Sequence, residues 1–387
     1  MLKLLSLFSG IGAFEKALEN IEEPFEVVRY CEIDRYASKA YSLIHNLDEN
    51  MNLKDVCSVE TEELPNDIDI VTYGFPCQDI STSGKMKGFT DDNGNLTRSG
   101  LFFEALRIIE DVKPKMAIAE NVKALTGKKF TAEFKIVLDS LNDAGYRNYW
   151  AVLNAKDYGI PQNRERVFII SIRNDIDHGF EFPKKYELKL RLKDLLEETV
   201  DEKYFLNEEM LKYILSTGTK NFYYKPEIDL EIARPLTSTM HKMHRAGTDN
   251  YVSESFAKKG KKIEVEDYLL IKNATKKGYL EAHNGDYVNL QFPNSKTRRG
   301  RVGEQIANTL LCNDSNGVVD NLRIRKLTPK ECFRLMGFDD KDCDVLLENK
   351  ISNTQLYKMA GNSIVVDVLE EIFVELLNQY ENVFPME

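Results

Sequence analysis

A chain of 387 residues is too long for one minimal core and suits a large domain with a smaller one beside it. Its 42% hydrophobic and 30% charged residues are ordinary for a folded globular protein and exclude a disordered or fibrous one. The apolar run at residues 1–8 is interrupted by Lys3 and is too short for a signal-peptide core. No stretch approaches the ~20 apolar residues of a membrane span, so the expectation is a cytoplasmic protein. The six cysteines show no CxxC pair and no histidines at zinc spacing, which predicts reduced thiols and no metal. Net charge is −11, which argues against a polyanion partner, yet residues 240–301 hold thirteen Lys or Arg against seven Asp or Glu. That local excess of six on an acidic body suggests a face for nucleic acid, although a solvated lysine-rich loop explains it equally well.

In chain order, residues 4–8 form a short apolar run that stops at Gly10 and Gly12. Phe14, Ala17, Leu18 and Ile21 then fall at helical spacing. Residues 25–30 are a second strand ending at Cys31-Glu32, and residues 68–73 a third ending at Gly74. Leu101, Phe102, Leu106 and Ile109 suit a helix. Residues 116–119 make a strand ending at Glu120-Asn121, and a helix capped by Thr131 carries Phe134, Val137, Leu138 and Leu141. Residues 149–153 and 167–172 complete the set. This rhythm predicts an α/β fold with a mostly parallel, Rossmann-like sheet and helices on both faces.

From about residue 174 the rhythm fails, and residues 176–322 read as a second, smaller, irregular β-rich domain. Regular pattern returns at Thr328-Pro329-Lys330-Glu331, a capping box with a first-turn proline. The last helix puts Val365, Val368, Leu369, Ile372 and Leu376 on one face. Residues 323–387 should therefore pack back on residues 1–175.

Four short constellations sit at predicted strand ends. Phe8-Ser9-Gly10-Ile11-Gly12 lies between a strand and a helix, where glycines let the backbone approach a ligand. A dinucleotide fingerprint would place a third glycine at position 15, which is Glu15. Glu32 stands twenty residues beyond Gly12, where a carboxylate accepts both hydroxyls of a ribose, though a plain tight turn accounts for the glycines as well. Gly74-Phe75-Pro76-Cys77-Gln78 would present a thiol at the carboxyl edge of the sheet. The thiol is a candidate nucleophile there, although cysteine is more often a small buried hydrophobe. The polar, glycine-rich stretch after it, to Ser99, has the length of a functional loop. Glu120 would face the same edge, and a carboxyl group beside a nucleophile handles a ring proton, although a strand-end Glu more often caps a helix. In Gln162-Asn163-Arg164-Glu165-Arg166 the alternate arginines share one face of an extended segment and would offer two cations to one site, a surface salt-bridge cluster being the alternative.

Taken together, these residues resemble the cytosine carbon-5 DNA methyltransferase family, of the bacterial or phage modification type. The glycine turn at Phe8 to Gly12 is similar to the family's first motif, Pro76-Cys77-Gln78 to its nucleophile motif, Glu120-Asn121-Val122 to the third and Gln162 to Arg166 to the fourth. The stretch from Arg325 to Phe338 resembles the fifth and Gln355 to Val366, around Gly361-Asn362-Ser363, the last. All six stand in the family's order, with the variable region between the fourth and fifth.

The resemblance implies methyl transfer from S-adenosylmethionine to carbon 5 of a cytosine flipped out of double-stranded DNA, leaving S-adenosylhomocysteine. It makes Cys77 the covalent nucleophile at carbon 6, Glu120 the partner of ring nitrogen 3, and Arg166, supported by Arg164, the partner of the carbon-2 carbonyl. It assigns Phe8, Gly10 and Gly12 to the methionine side of the cofactor and Glu32 and Ile33 to ribose and adenine. Asp55 goes to the adenine amino group, Leu101 to a further wall, and Asn362 and Ser363 complete the pocket. Gln78, Ser83 and Arg98 in the loop, and Lys296, Arg298, Arg299, Arg301 and Thr309 in the variable region, are its candidate DNA contacts. It implies a monomer, with a restriction endonuclease as a separate companion. A transfer RNA methyltransferase of the same chemistry is the alternative, and the basic insert favours DNA. Arg234-Pro235-Leu236-Thr237 reads as a chance echo of Lys326-Leu327-Thr328.

Overall fold

A computed structural model gives the fold and describes residues 1–65, 67–76, 89, 98–214, 218–219, 222–223, 227–242, 244–257, 268–272, 279–283, 287–289, 301–303, 316–318 and 324–384. Six strands form the main sheet: β1 (Leu2–Leu7), β2 (Phe25–Cys31), β3 (Ile70–Tyr73), β4 (Met116–Val122), β5 (Tyr146–Asn154) and β6 (Glu165–Arg173). Their order is β2-β1-β3-β4-β6-β5. The first four run parallel, whereas β6 is antiparallel to both β4 and β5. The mostly parallel α/β class is therefore as expected, with a hairpin added at one side.

Strand alternation divides the core in two. Leu4, Ile70, Ile118 and Ile170 point into one buried cluster, and Leu5, Val71, Ala117 and Ile169 into the other. Burial on both faces is why these strands read as near-continuous apolar runs. The parallel crossovers are made by α1 (Ala13–Asn20), α2 (Arg35–His45) and α3 (Phe102–Val112), and α4 (Thr131–Asp143) leads to the hairpin. Thr131 is the first residue of α4 and not its cap; its hydroxyl donates back to the Lys128 carbonyl at 3.2 Å.

Between the hairpin and the C-terminal helices lie α5 (Glu208–Ile214), α6 (Glu254–Ala257) and short strands: β7 (Gly218–Thr219), β8 (Phe222–Tyr223), β9 (Tyr251–Ser253), β10 (Tyr268–Lys272), β11 (Tyr279–His283), β12 (Tyr287–Asn289), β13 (Arg301–Gly303) and β14 (Asn316–Val318). β15 (Ile324–Lys326) pairs with β9, and the other pairings here are antiparallel too. Phe180, Leu192, Ala233, Leu236, Val252 and Ala257 belong to the larger core cluster. Much of the stretch before residue 258 is thus anchored in the main body.

The C-terminal helices are α7 (Pro329–Arg334), α8 (Asp340–Glu348), α9 (Asn353–Asn362) and α10 (Val366–Gln379). The capping box forms as predicted: Glu331 N donates to the Thr328 hydroxyl, and Thr328 N to the Glu331 carboxylate at 2.8 Å. α10 buries Val368, Leu369, Ile372 and Leu376 and packs back on α1, Phe373 meeting Phe14 edge-on at 6.4 Å. No helix among the described residues is long and apolar enough to cross a membrane.

Candidate active site

The register of the sheet assembles the site. Leu7 lies opposite Cys31 on one side and Tyr73 on the other, and Tyr73 lies opposite Ala119. The residues that come next, Phe8, Glu32, Gly74 and Glu120, therefore stand in one row across four parallel strands, three leaving the sheet and Glu120 still within β4. This is the carboxyl edge, where ligands bind in such sheets.

On the β1–β2 side the chain turns through left-handed conformations at Phe8 (φ +54°), Gly10 (φ +59°) and Gly12 (φ +81°). A Cβ built on Gly10 would meet nothing among the described residues within 4 Å, so this backbone is open on that side. One built on Gly12 would lie 2.0 Å from His45 Nε2. His45 braces the turn from beneath, with Nε2 3.2 Å from the Ile11 carbonyl and Nδ1 2.7 Å from Glu19. The Glu32 carboxylate accepts from Gly10 N at 2.9 Å and Asp34 N at 2.7 Å. Burial pushes the Glu32 carboxyl up, and those two N–H groups oppose it. Its orientation is fixed while lone pairs remain for a ribose. Beside it Ile33 is 74% exposed, an apolar side chain with one face uncovered.

Asp55 caps the short turn Val56–Ser58 through Cys57 N at 3.0 Å. Burial pushes the Cys31 thiol up to about 12, and the Glu32 and Asp55 carboxylates both add to that rise. Leu101 ends the turn Arg98–Leu101 and packs on the second core cluster. Asn362 is exposed at the end of α9, and Ser363 is buried as that helix's C-cap.

On the β3–β4 side, Glu120 lies over the turn after β3: a Cβ on Gly74 would stand 3.8 Å from Glu120 Oε2. Arg166, at the start of β6, reaches the same point, with Nε 2.9 Å from Glu120 Oε1. Burial pushes the Glu120 carboxyl above the usual carboxylate range, and the Arg166 and Arg164 guanidiniums partly offset it. The neighbouring Asn121 is buried and donates to the Phe75 carbonyl at 3.0 Å, tying β4 to the turn that leads to Cys77. Phe75 packs against Phe102 (5.4 Å) and Phe89 (6.5 Å).

Both cations bear on Glu120, Arg166 as its ion-pair partner and Arg164 through its charge, and Arg164 is bound besides into the body of the protein. Arg164 is 3% exposed, and its guanidinium donates to the carbonyls of Leu236 (2.9 Å), Gly361 (3.2 Å) and Ser363 (2.6 Å). Its place just before β6 begins turns it from the edge into the body. Gln162 acts similarly: its side chain donates to the Leu335 carbonyl at 2.8 Å and accepts from Leu236 N at 3.0 Å. Residues 234–237, read from sequence as a chance echo, are thus part of the frame.

Asn121 and Gln162 lay inside the sequence motifs without a role, because the partners that give them one are 46 and 74 residues away. Cys77, Gln78, Ser83, Lys296, Arg298, Arg299 and Thr309 lie outside the described residues. Arg98 begins a short turn and Arg301 begins β13, and their side chains lie outside the description too. Among the described residues no three His, Cys, Asp or Glu side chains cluster as metal ligands.

A paired acid and cation stand at the carboxyl edge of a Rossmann-like sheet, in one row with a carboxylate oriented by two backbone N–H groups, the layout of a group-transfer enzyme. Residues 2–378 match the model of the C-5 cytosine-specific DNA methylases. The chain is 34% identical to the orphan methyltransferase M.SPRI of Bacillus phage SPR, over 98% of both proteins. It is 32% identical to the type II methyltransferase M.HhaI of Haemophilus parahaemolyticus, over 96% of this chain and 93% of that one. In fold it is similar to the Entamoeba histolytica methyltransferase EhMeth (TM-score 0.65, 17% identity, 98% of each chain). The S. pombe Dnmt2 methyltransferase is similar too (TM-score 0.61, 19% identity, 98% and 99%). The chain belongs to the C-5 cytosine-specific DNA methylase family and is a DNA (cytosine-5-)-methyltransferase of the bacterial and phage modification type.

Proposed function

We propose that the protein methylates carbon 5 of cytosines within a short sequence of double-stranded DNA, using S-adenosylmethionine and a covalent bond from Cys77. The observation that carries this reading is the Glu120–Arg166 pair beside the Gly74 turn, three residues before the thiol. The methyl donor fits the other half of the row: a carboxylate held by two N–H groups for the ribose, exposed Ile33 for the adenine ring, and open space above Gly10. Phe8, Gly12, Asp55, Leu101, Asn362 and Ser363 would complete that pocket, with S-adenosylhomocysteine as the product.

The target base is buried in a duplex and must be flipped out, at a cost of a few kcal/mol. The Cys77 thiolate adds to carbon 6 while protonated Glu120 donates to ring nitrogen 3, so the ring's new electron density collects at carbon 5. Arg166 holds the carbon-2 carbonyl, and Arg164 acts from behind it as a positioning residue. S-adenosylmethionine supplies the methyl group that carbon 5 accepts. Loss of the carbon-5 proton to a solvent water then restores the double bond as the carbon–sulfur bond breaks and expels the thiolate. Ring nitrogen 3 returns its proton to Glu120. A raised carboxyl suits this work, because Glu120 keeps its proton at a higher pH than an ordinary glutamate.

Residues 176–322 would read the DNA, with Gln78, Ser83, Arg98, Lys296, Arg298, Arg299, Arg301 and Thr309 as contacts, the first half of that region being anchored in the main body. The enzyme would work as a cytoplasmic monomer, with any companion endonuclease acting separately. Tritium transfer from labelled S-adenosylmethionine to unmethylated duplex DNA, and to transfer RNA in parallel, tests the reading. Incorporation into duplex DNA that C77A abolishes supports it, and incorporation into RNA alone overturns it.

A further inference from the structure

The Arg164 guanidinium is buried and bonded to three carbonyls that belong to two distant segments. One segment, residues 233–238, lies within the proposed DNA-reading region, in the part anchored in the main body. The other, residues 361–363, ends α9 and supplies Asn362 and Ser363 to the proposed cofactor pocket. The two also touch directly: a Cβ on Gly361 would lie 2.2 Å from Thr237 C and 2.3 Å from Ser238 N, so the glycine lets two backbones meet.

The first segment is braced on its far side as well. Arg234 N donates to Asn250 Oδ1 at 2.8 Å, and the Asn250 amide returns a bond to the Arg234 carbonyl at 3.0 Å. Arg245 joins the Thr237 hydroxyl to Asp249, 2.8 Å away. On its near side Ala233 N donates to the Pro161 carbonyl at 2.8 Å, and the Ala233 carbonyl accepts from Asn163 N at 2.9 Å. Residues 233–238 are therefore a rigid bar between the 245–251 turn and the cofactor-side loop, and Arg164 and Gly361 are where it meets that loop.

We propose that Arg164 and Gly361 are positioning residues that hold the cofactor pocket and the DNA-reading region in one register, so that DNA binding tightens cofactor binding. The inference rests on the functional reading above. A planar guanidinium donating to carbonyls of both segments fixes their relative position, because shifting either one strands a buried donor or acceptor. By linkage the coupling is reciprocal: what DNA does to cofactor affinity, the cofactor does to DNA affinity.

The test is calorimetric titration of S-adenosylhomocysteine into the full chain, with and without unmethylated duplex DNA. The wild type should bind it at least about fivefold more tightly with DNA present, the lower end of ordinary coupling. R164K keeps the charge but loses the fork, and G361A pushes the bar off α9 while favouring the helix itself. Both variants should bring the ratio to within about twofold of one and raise KM for both substrates together. Should R164K fail to fold, G361A alone decides. A wild-type ratio retained in G361A overturns the proposal, as does a wild type without DNA-dependent tightening. Methyl incorporation into DNA, measured in parallel, separates the cases: wild-type transfer without coupling sinks only this inference. Absence of transfer sinks the functional reading and this inference with it.

Discussion

The parallel and antiparallel halves of the main sheet reach the same edge by opposite routes. In the parallel half, β1 and β2 deliver a left-handed turn and a carboxylate after their last residues, where backbone N–H groups are left over to orient Glu32. In the antiparallel half, β6 starts where β4 ends, with Val122 opposite Arg166, so a cation arrives at an edge that parallel strands furnish mainly with turns. The hairpin is thus how a mostly parallel sheet acquires an acid–cation pair at its carboxyl edge. The parallel half would hold the donor, and the junction of β3, β4 and β6 would hold the base.

If that division is right, substitutions should sort by half. The largest effect belongs to the base half: C77A should lower kcat by roughly 10⁴-fold or more while leaving S-adenosylhomocysteine affinity within about twofold, measured by tritium transfer and calorimetry. E120Q should lower kcat about 10²- to 10⁴-fold. In the wild type kcat should fall as pH rises through the raised Glu120 value, because the proton donated to the base is then lost. That falling limb should be missing from the pH profile of E120Q.

G12A probes the donor half. It places a Cβ against His45 in a backbone conformation unsuited to alanine, and should weaken S-adenosylhomocysteine binding at least about tenfold. Loss of kcat without loss of affinity in G12A would break the division. N121L leaves the Phe75 carbonyl unpaired and should cost about 1–3 kcal/mol in denaturant unfolding.

The smallest effect is His45. Contact with Glu19 and nearby Glu15 hold its imidazolium against desolvation, so its folded-state value lies above the ordinary one. Its contribution is complete below about pH 6.5 and is lost as pH rises through the folded value. Urea melts at pH 6 and pH 9 should show H45L closing a gap of less than about 2 kcal/mol.

Which parts were legible follows from how far each contact reaches along the chain. The strand-end positions of Glu32 and Gly74 were readable because apolar runs stop there. The strand before Glu120 was ended three residues early, at 119, since β4 runs on to Val122. The antiparallel turn of β6 carried no sequence mark, because a doubly buried strand reads alike in either direction. Arg164 and Arg166 share residue type and spacing, yet one is spent on carbonyls of residues 72, 197 and 199 positions away. No local pattern separates them. Residues 234–237 were dismissed for the same reason: the partners that tie them to the site, Gln162, Arg164 and Gly361, are all distant in sequence.

The central claim is a sulfur–carbon bond from Cys77 to an extruded cytosine, and one measurement addresses it directly. Duplex DNA made with 5-fluorocytosine cannot lose its halogen as a proton is lost, so the bond should persist after methyl transfer. Mass spectrometry of the digested protein should then find the peptide containing Cys77 heavier by a methylated fluorocytosine nucleotide. An unmodified Cys77 peptide, under conditions where ordinary DNA is methylated, would contradict the account.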